Sequence, residues 1–381
     1  MPSLPSPPAV SRRSFLQLAG AGLAASTLGG LPIAQAQTRS VAALASAATA
    51  ADRKVYLNFN ECPLGPSPAA LQAVARALPM SGRYHFELAE DLRGLLASQL
   101  GLPQDHVALY PGSSDPLNRA GHLFTSATAG VVVPDPTFEA VADVAAAQGA
   151  PVRRVALQAD GSHDVEAMAA SDPRAGLIYV CNPNNPTGSV TPRERIQWLL
   201  DHKPAGSVVL VDEAYIHYSE QPSVADLVTT RDDLIVLRTF SKLYGMAGLR
   251  LGAALASPAL LKKLDALGGN PLPVPAMVAA DASLREVSLV PTRRAANAKI
   301  RQQTIDWLQA QGHACVPSES NCFMVDVHGD GRQFTQAMAD QGIIVGRSWP
   351  VWPQRVRITV GTEAEMQRFR QAFGQAIKAV G

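Results

Sequence analysis

Lys242 stands in the stretch SKLYGMAGLR (241–250), where most of its neighbours are apolar. Ser241 precedes it, and Arg250 follows eight positions later. A lysine in so apolar a stretch is either a surface residue of an ordinary loop or a primary amine held for covalent chemistry. The choice between these readings depends on what the rest of the fold places around it.

Two other features mark the ends of apolar runs. Asp212 closes the run SVVLVD, where an unpaired carboxylate is costly and needs a cationic or hydrogen-bonding partner. PGSSD (111–115) follows the run VALY and opens a helical pattern. Backbone amides, the hydroxyls of Ser113 and Ser114 and the helix dipole predict an anion site there, although the same residues are common helix caps.

The elements that must position these residues alternate along the chain. Short β-rich runs and helical patterns follow one another to about residue 256, which predicts a mainly parallel sheet covered on both faces. Ligands of such doubly wound sheets bind beyond the carboxyl ends of the strands. Two more segments fall at such ends: the polar turn NPNNPTGS (182–189) and DPTFEA (135–140), whose Phe138 is otherwise a core aromatic.

The breaker cluster GGNPLPVP (268–275) ends this alternation, and a long helical stretch followed by strands and helices predicts a smaller α+β domain. The predicted divisions of the chain are an export signal (1–36), a flexible lead-in (37–53), an N-terminal segment that joins the small domain (54–80), a large domain (81–275) and a small C-terminal domain (276–381).

Composition limits the function. The chain has 381 residues, of which 47% are hydrophobic and 17% charged, so it can form more than one substantial core. Its formal net charge of +1 offers no long-range field for a polyanion, which argues against a nucleic-acid partner. The four cysteines have no metal-ligand spacing, so no metal site is expected.

The N-terminus carries a targeting pattern. SRRSFLQ (11–17) precedes an uncharged run rich in glycine and alanine, and Ala34-Gln35-Ala36 follows. This pattern predicts a twin-arginine signal cleaved near Ala36, the export machinery as a partner and a periplasmic protein; the alternative is a chance Arg-Arg before an alanine-rich linker. The small residues make the run weak as a permanent membrane span.

In this order, CNPNNPTG, VDEAY and TFSKLYGMAGLRLG resemble the fold-type I pyridoxal phosphate enzymes, specifically the class I/II aminotransferases. The likeness is closest to the histidinol-phosphate aminotransferase branch, whose pattern YLNFNECPLGPSP (56–68), GRY (82–84) and VRITVGT (356–362) also match. The resemblance extends over residues 54 to 381. It implies a seven-stranded sheet with a small C-terminal domain, pyridoxal 5′-phosphate as cofactor, and amino transfer between an L-amino acid and a 2-oxo acid.

The resemblance also implies roles for particular residues. Lys242 would bond to the pyridoxal aldehyde and later move a proton, and Asp212 would keep the pyridine nitrogen protonated. Asn185 and Tyr215 would hydrogen-bond the phenolic oxygen, and Phe138 would stack on the ring. The phosphate would be held by four residues: Ser113, Ser114, Ser241 and Arg250. Tyr84 would reach it from the neighbouring subunit of a homodimer. Arg357 would bind the substrate carboxylate, unless it is an exposed strand arginine.

Some positions depart from the branch. Cys62 replaces the usual asparagine or another larger residue, and His85 stands where proline is usual. Trp349 and Trp352 form an unusual pair near the expected substrate mouth, where Arg347 either meets a second anionic group or is a surface charge. Because histidine biosynthesis is cytoplasmic, export also argues against histidinol phosphate. An aromatic or bulky apolar amino donor fits the tryptophans better.

Other readings remain open. A related enzyme, such as an amino acid phosphate decarboxylase, a lyase or a cyclase, is the main alternative, and a binding protein without activity is disfavoured by the intact catalytic residues. His217 is expected to be a packing residue. Cys315 and Cys322 flank a short turn and could pair, whereas Cys181 is expected to be a buried free thiol.

Overall fold

The computed structural model describes residues 54–380, so the predicted signal (1–36) and lead-in (37–53) lie outside it. Runs rich in valine and isoleucine form many of the strands, as the β-branched side chains of these residues favour. The strands of this part of the chain are β1 (Val55–Leu57), β2 (Val107–Tyr110), β3 (Val131–Asp135), β4 (Val152–Ala156), β5 (Leu177–Cys181), β6 (Val208–Asp212), β7 (Leu234–Thr239), β8 (Gly252–Ala256), β9 (Cys322–Asp326), β10 (Ile343–Val345) and β11 (Arg355–Thr359).

Two of the α-helices show clear start signals. Ser67 caps the first helix, which opens on Pro68, and Thr362 and Glu365 form a reciprocal capping box on the last. None of the helices within 54–380 combines the length and apolar composition needed to cross a bilayer. The helices are α1 (Pro68–Ala77), α2 (Phe86–Leu100), α3 (Ser114–Phe124), α4 (Ala140–Ala147), α5 (Val165–Ala170), α6 (Arg193–His202), α7 (Pro258–Asp265), α8 (Val274–Arg285), α9 (Leu289–Ala310), α10 (Gly331–Asp340) and α11 (Glu363–Lys378).

The central sheet of the described chain has seven strands in the order β2-β8-β7-β6-β5-β3-β4. Neighbouring strands are parallel, except that β8 runs antiparallel to both β2 and β7. The mainly parallel, seven-stranded sheet predicted from the sequence is therefore confirmed. Because the carboxyl ends of β2, β3, β5, β6 and β7 meet at one edge, the loops that follow them lie side by side.

Hydrophobic clusters cover both faces of this sheet. In β5, Ile178 and Val180 belong to one cluster, whereas Leu177 and Tyr179 belong to the other, as the alternation of side chains along a strand requires. All four are fully buried. Each of the three aliphatic side chains contributes about 1.5–3 kcal/mol of hydrophobic free energy. The expected burial of both faces is therefore observed.

A third cluster forms the small domain. Val55 and Leu57 of β1 pack with residues of β9, β10, α10 and α11. β1 pairs in parallel with β10, and β9 pairs antiparallel with β11. The N-terminal strand and the C-terminal quarter of the chain thus share one core.

The clusters divide the chain at other positions than the predicted boundaries at 80 and 275. Within 54–80, α1 packs on α8 and its Ala70 and Ala77 belong to a cluster of the large sheet. Helix α8, expected in the small domain, belongs to that same cluster through Ala276 and Met277. The breaker cluster at 268–275 redirects the chain but does not end the large core, because the apolar face of α8 has its partner in α1 and α2.

Candidate active site

A cavity of about 440 Å³ opens at the carboxyl edge of the central sheet. It lies where β5 and β6 end and where the loops after β2, β3 and β7 meet the small domain. All predicted site residues except Tyr84 line it: Ser113, Ser114, Phe138, Asn185, Asp212, Tyr215, Ser241, Lys242, Arg250 and Arg357. The fold therefore brings residues from the loops after five strands, together with Asp212 of β6 and Arg357 of β11, around a single space.

Lys242 follows β7 and is tied to the N-terminal segment. Its Nζ donates a hydrogen bond of 3.1 Å to the carbonyl oxygen of Phe59 and lies 5.6 Å from the ring centroid of Tyr215. Burial, together with the nearby Arg357 guanidinium, lowers the pKa of Lys242 to about 8. A minor but useful fraction of this amine, about a fifth, is therefore neutral near physiological pH, and in that form it can act as a nucleophile and accept a proton.

Asp212 ends β6 with its carboxylate buried. Its Oδ2 accepts a 3.1 Å hydrogen bond from the Tyr179 hydroxyl, and its Oδ1 accepts one of 3.0 Å from the Ala214 amide. Burial raises the pKa of Asp212 despite these two bonds. No side chain in the described part of the chain forms a salt bridge with it, although the adjacent Glu213 is paired with Arg238. The carboxylate is thus held in place but lacks a bonded cation.

Asn60 joins three parts of the site through its amide. Its Nδ2 donates to the Tyr215 hydroxyl at 3.1 Å and to Oδ1 of Asn185 at 3.4 Å. Its backbone N–H donates to Oγ1 of Thr359, and that hydroxyl in turn donates to Oδ1 of Asn60, both at 3.0 Å. The asparagine is only 1% exposed. It therefore links the N-terminal segment, the large-sheet loops and β11 in one buried network.

The opposite end of the cavity is suited to an anion. Arg250 donates hydrogen bonds to Oγ of Ser241 at 3.3 Å and to the carbonyl of Ala247 at 3.0 Å, and it forms no salt bridge with a described carboxylate. Its guanidinium passes so close to Gly112, whose φ is +87°, that a Cβ there would overlap it. Ser113 precedes α3, whose N-terminus begins at Ser114. The Arg250 guanidinium, the serine hydroxyls and the positive end of the α3 dipole therefore meet at this end of the cavity.

Arg357 is half-buried on β11 rather than exposed on a strand surface. Its Nη1 donates a 2.7 Å hydrogen bond to Oδ1 of Asn185, and its Nη2 donates to the carbonyl of Asn58. Its Nε is buried without a partner among the described residues. Both acceptors are neutral, so the positive charge of this guanidinium is not compensated by a carboxylate.

Aromatic and charged residues surround the mouth of the cavity. Trp349 is only 3% exposed, and the Arg347 guanidinium lies 4.0 Å from its ring centroid while donating to the carboxylate of Glu139. Phe138 is 37% exposed beside them. The tryptophan pair is divided, because Trp349 lines the cavity whereas Trp352, which donates its backbone N–H to the Trp349 carbonyl at 2.9 Å, does not.

Two residues lie away from this cavity. Tyr84 is 63% exposed and stacks on Phe86 with 5.5 Å between ring centroids. It does not line the cavity of its own chain. His217 is half-buried and packs edge-on against Tyr244 with 5.0 Å between ring centroids, and desolvation together with the Arg238 charge lowers its pKa to about 3. A histidine that stays neutral in this way packs rather than transfers protons near pH 7.

The four cysteines are all free thiols. The expectation that Cys315 and Cys322 could pair is therefore wrong in this fold. The register of the strands places Val325, not Cys322, opposite Cys315. Cys322 instead accepts a hydrogen bond of 3.2 Å from Nδ2 of Asn60, and Cys181 is buried as expected.

Three residues of the site were not found from the sequence. Asn60 follows a strand that looks like an ordinary entry segment, and its partners are more than a hundred positions away. Tyr179 is a lone polar tip within an aliphatic strand, which is a weak signal for a buried hydrogen bond. Glu139 directly follows Phe138, yet nothing in the sequence indicates that it meets Arg347 across the mouth.

Comparison with known proteins agrees with this geometry. The family model for aminotransferase class I and II matches residues 52–373. An aromatic amino acid aminotransferase of Cutibacterium acnes is 33% identical over 333 residues, which cover 86% of this chain and 94% of that protein. A histidinol-phosphate aminotransferase of Symbiobacterium thermophilum is 35% identical, covering 85% of this chain and 90% of its own length.

Among solved structures, histidinol-phosphate aminotransferase from Sinorhizobium meliloti in complex with pyridoxal-5′-phosphate superposes with a TM-score of 0.80 at 27% identity. The match covers 85% of this chain and 91% of that one. The seven-stranded, mainly parallel sheet is the one that the family resemblance implied. This chain belongs to the class I and II aminotransferases, and it is an enzyme that uses pyridoxal phosphate to transfer amino groups.

Proposed function

We propose that this enzyme transfers the amino group of an aromatic or other bulky apolar L-amino acid to a 2-oxo acid, with both substrates bound in this cavity. The observation that carries the proposal is the proximity of Arg357 and Trp349: the guanidinium carbon lies 5.5 Å from the indole centroid. Arg357, whose charge is not compensated, could thus bind the substrate carboxylate, and the adjacent buried ring of Trp349 could contact the substrate side chain. The 33% sequence identity with an aromatic amino acid aminotransferase supports this choice. Histidinol phosphate, named for other relatives, is the competing donor.

The anion-binding end fits the phosphate of the cofactor. Arg250 lacks a carboxylate partner in the described chain, and Gly112 leaves room for its guanidinium. Ser113, Ser114 and Ser241 would add hydroxyl and amide donors to the phosphate oxygens, and Arg250 would bind them through two N–H groups. A dianion at this position also meets the positive end of α3.

The other residues fit the ring. When bound, pyridoxal phosphate supplies an electron sink for charge that develops at the substrate Cα. Asp212, a buried carboxylate without a bonded cation, would hold a proton on the ring nitrogen. Oδ1 of Asn185 is already engaged by Arg357 and Asn60, which leaves its Nδ2 to donate to the ring oxygen beside the Tyr215 hydroxyl. Phe138 would cover the ring face.

Lys242 would move the proton that amino transfer requires. Its Nζ is fixed by the Phe59 carbonyl, and a pKa of about 8 lets it both accept a proton from the substrate Cα and return it. Arg357 would bind the α-carboxylate and so orient the substrate for that transfer. The acceptor 2-oxo acid carries the same carboxylate and would use the same arginine.

Half-reactions with single amino donors test this function. The protein is saturated with pyridoxal phosphate, each donor is added without an acceptor, and the change in cofactor absorption is followed. Phenylalanine, tyrosine and tryptophan should convert the cofactor faster than histidinol phosphate, and Lys242→Ala should not respond. No conversion by phenylalanine, tyrosine, tryptophan or histidine would contradict the aromatic proposal.

We further propose a homodimer in which Tyr84 reaches the phosphate of the neighbouring site. The support is its exposure of 63% outside its own cavity, next to the 64% exposed Phe86. Exposed aromatic neighbours mark interaction surfaces. Sedimentation analysis should give a dimer, and Tyr84→Phe should weaken cofactor binding. A monomer that binds the cofactor with full affinity would refute this arrangement.

We also propose that residues 1–36 direct export to the periplasm by the twin-arginine machinery, with cleavage near Ala36. The support is the Arg12-Arg13 pair, the uncharged run behind it and the Ala34-Gln35-Ala36 site. Changing both arginines to lysine should retain the protein in the cytoplasm of its native host. Isolation from that host of a protein that starts near residue 1 would contradict the proposal.

A further inference from the structure

Two arginines lie at the mouth of the cavity, and they differ in how their charge is balanced. Arg357 donates only to neutral oxygens, those of Asn185 and Asn58. Arg347 instead forms a salt bridge with Glu139, with side-chain exposures of 52% and 30%. Of the two, only Arg357 presents an uncompensated positive charge to an incoming molecule.

The position of Arg347 is fixed from two sides. Its guanidinium carbon lies 4.0 Å from the ring centroid of the buried Trp349, and its Nη2 donates to the Glu139 carboxylate. Glu139 is itself anchored as the residue before α4, where its carbonyl accepts the Asp143 amide at 2.9 Å. Stacking and ion pairing together hold the cation against the wall of the cavity.

We propose that Glu139 is a specificity-determining residue that neutralises Arg347 and thereby disfavours amino donors with a second anionic group. This inference rests on the proposed function and specifies its substrate class: amino donors with neutral, aromatic side chains. Glu139 achieves this without contacting the reacting atoms.

The physical argument concerns exchange of partners. A side-chain carboxylate or phosphate can bind Arg347 only by displacing Glu139, whose own charge would then stand unpaired beside it. Asp143, one helical turn further on, also lines this side of the cavity and adds to the repulsion. A neutral ring requires no such exchange, so it can pack near Trp349 while the ion pair stays intact. Specificity arises here from a repulsive element as well as from an attractive one.

Single-turnover half-reactions of the cofactor-loaded protein test the role of Glu139. The donors are phenylalanine, O-phospho-L-serine, and the isosteric pair glutamate and glutamine, which differ by one anionic group. Wild type should convert the cofactor faster with phenylalanine than with either anionic donor. Glu139→Gln should raise the glutamate-to-glutamine ratio of second-order rate constants at least about tenfold, as expected for one newly available charge-assisted hydrogen bond.

Two further variants separate this role from a general disturbance. Adding Arg347→Gln to Glu139→Gln should abolish the gain, because the freed cation is then absent. Glu166→Gln, which removes a partly exposed Glu166–Arg195 pair that does not line the cavity, should leave the ratio unchanged.

The possible failures are distinguishable. An unchanged glutamate-to-glutamine ratio in Glu139→Gln, a gain that persists without Arg347, or a wild type that prefers anionic donors would each overturn the role of Glu139. If the protein binds the cofactor but no donor changes its absorption, the proposed function itself is overturned, and the inference with it.

Discussion

Arg357 donates a hydrogen bond of 2.7 Å to Oδ1 of Asn185, a residue 172 positions earlier in the chain. The bond joins the small domain to the loop after β5, across the cavity in which both side chains lie. Because its acceptor is a neutral amide oxygen, the guanidinium keeps its charge available for an ion pair with a substrate carboxylate. Arg357 is therefore held in place without being neutralised.

Arg357→Gln should raise KM for the amino donor by about tenfold to a hundredfold, since one charge-assisted interaction is lost. Arg357→Lys should fall between this variant and wild type, because an ammonium cannot form the two-pronged contact. Steady-state kinetics with phenylalanine measure both. Cofactor binding, followed by absorption, should persist, and an unaltered KM in both variants would exclude Arg357 as the carboxylate ligand.

The amine of Lys242 should titrate near pH 8 in the cofactor-free protein. Pulse labelling with an amine-reactive reagent, read by mass spectrometry, should reach half its maximal rate near that pH, while exposed lysines continue to gain reactivity toward about pH 10.4. The unfolded chain binds more protons between these values. The stability of the cofactor-free protein should therefore rise with pH from about 8 to 10.4. Labelling of Lys242 that follows exposed lysines would contradict the lowered pKa.

Asp212→Asn should have opposite effects on stability and activity. Burial raises the pKa of Asp212, so a neutral amide relieves the cost of a buried carboxylate, and the cofactor-free variant should withstand at least as much urea as wild type. Amino transfer should fall by about a factor of 10² or more, because no negative charge keeps the ring nitrogen protonated. A variant that loses stability along with activity would point to misfolding instead.

Gly112→Ala should weaken cofactor binding, because its new Cβ overlaps the Arg250 guanidinium and the backbone has φ +87°. Gly101→Ala is the matched control: its φ is +66°, but a Cβ there meets no atom within 4 Å. Both variants carry backbone strain of about 1 kcal/mol, so a difference in the spectroscopic Kd isolates the contact with Arg250. Equal Kd values would remove Arg250 from the phosphate site.

Glu213→Gln should lower the free energy of unfolding by about 3–5 kcal/mol, because it leaves Arg238 buried and unpaired. The two side chains are 2% and 10% exposed, and their ion pair measures 2.9 Å. Glu90→Gln, which breaks an exposed pair with Arg93, should cost no more than about 1 kcal/mol. Urea unfolding of both cofactor-free variants measures this difference. Equal losses in the free energy of unfolding would show that the buried pair contributes no more to stability than the exposed one.

Much of this molecule can be predicted from local pattern. The aliphatic runs around Ile178 and Val209 are continuous because both faces of the sheet are covered, and that property indicates a parallel sheet without any knowledge of strand order. Asp212 and Lys242 could be found because each is a polar residue placed where an apolar strand ends. Their proximity follows from the rule that parallel strands end at one edge.

Residues that act through distant partners could not be predicted. The role of Asn60 depends on its hydrogen bonds with Tyr215 and Thr359, which come together only in the folded protein. The role of Glu139 depends on its ion pair with Arg347, a residue of the small domain that stacks on Trp349. The boundary near 275 was misplaced for a related reason: a glycine- and proline-rich turn reports where the chain bends but not which core the next helix joins.

The parallel pairing of β1 with β10 also bears on how the enzyme matures. Val55 lies opposite Ile343, so the segment that carries Phe59 is anchored only after the ribosome has made nearly the whole polypeptide. The carbonyl that fixes Lys242 and Arg357, the arginine proposed to bind the substrate, come from opposite ends of the described chain. We therefore expect the cofactor to bind only after the whole chain has been made, so that its absorption would report on completed synthesis and folding.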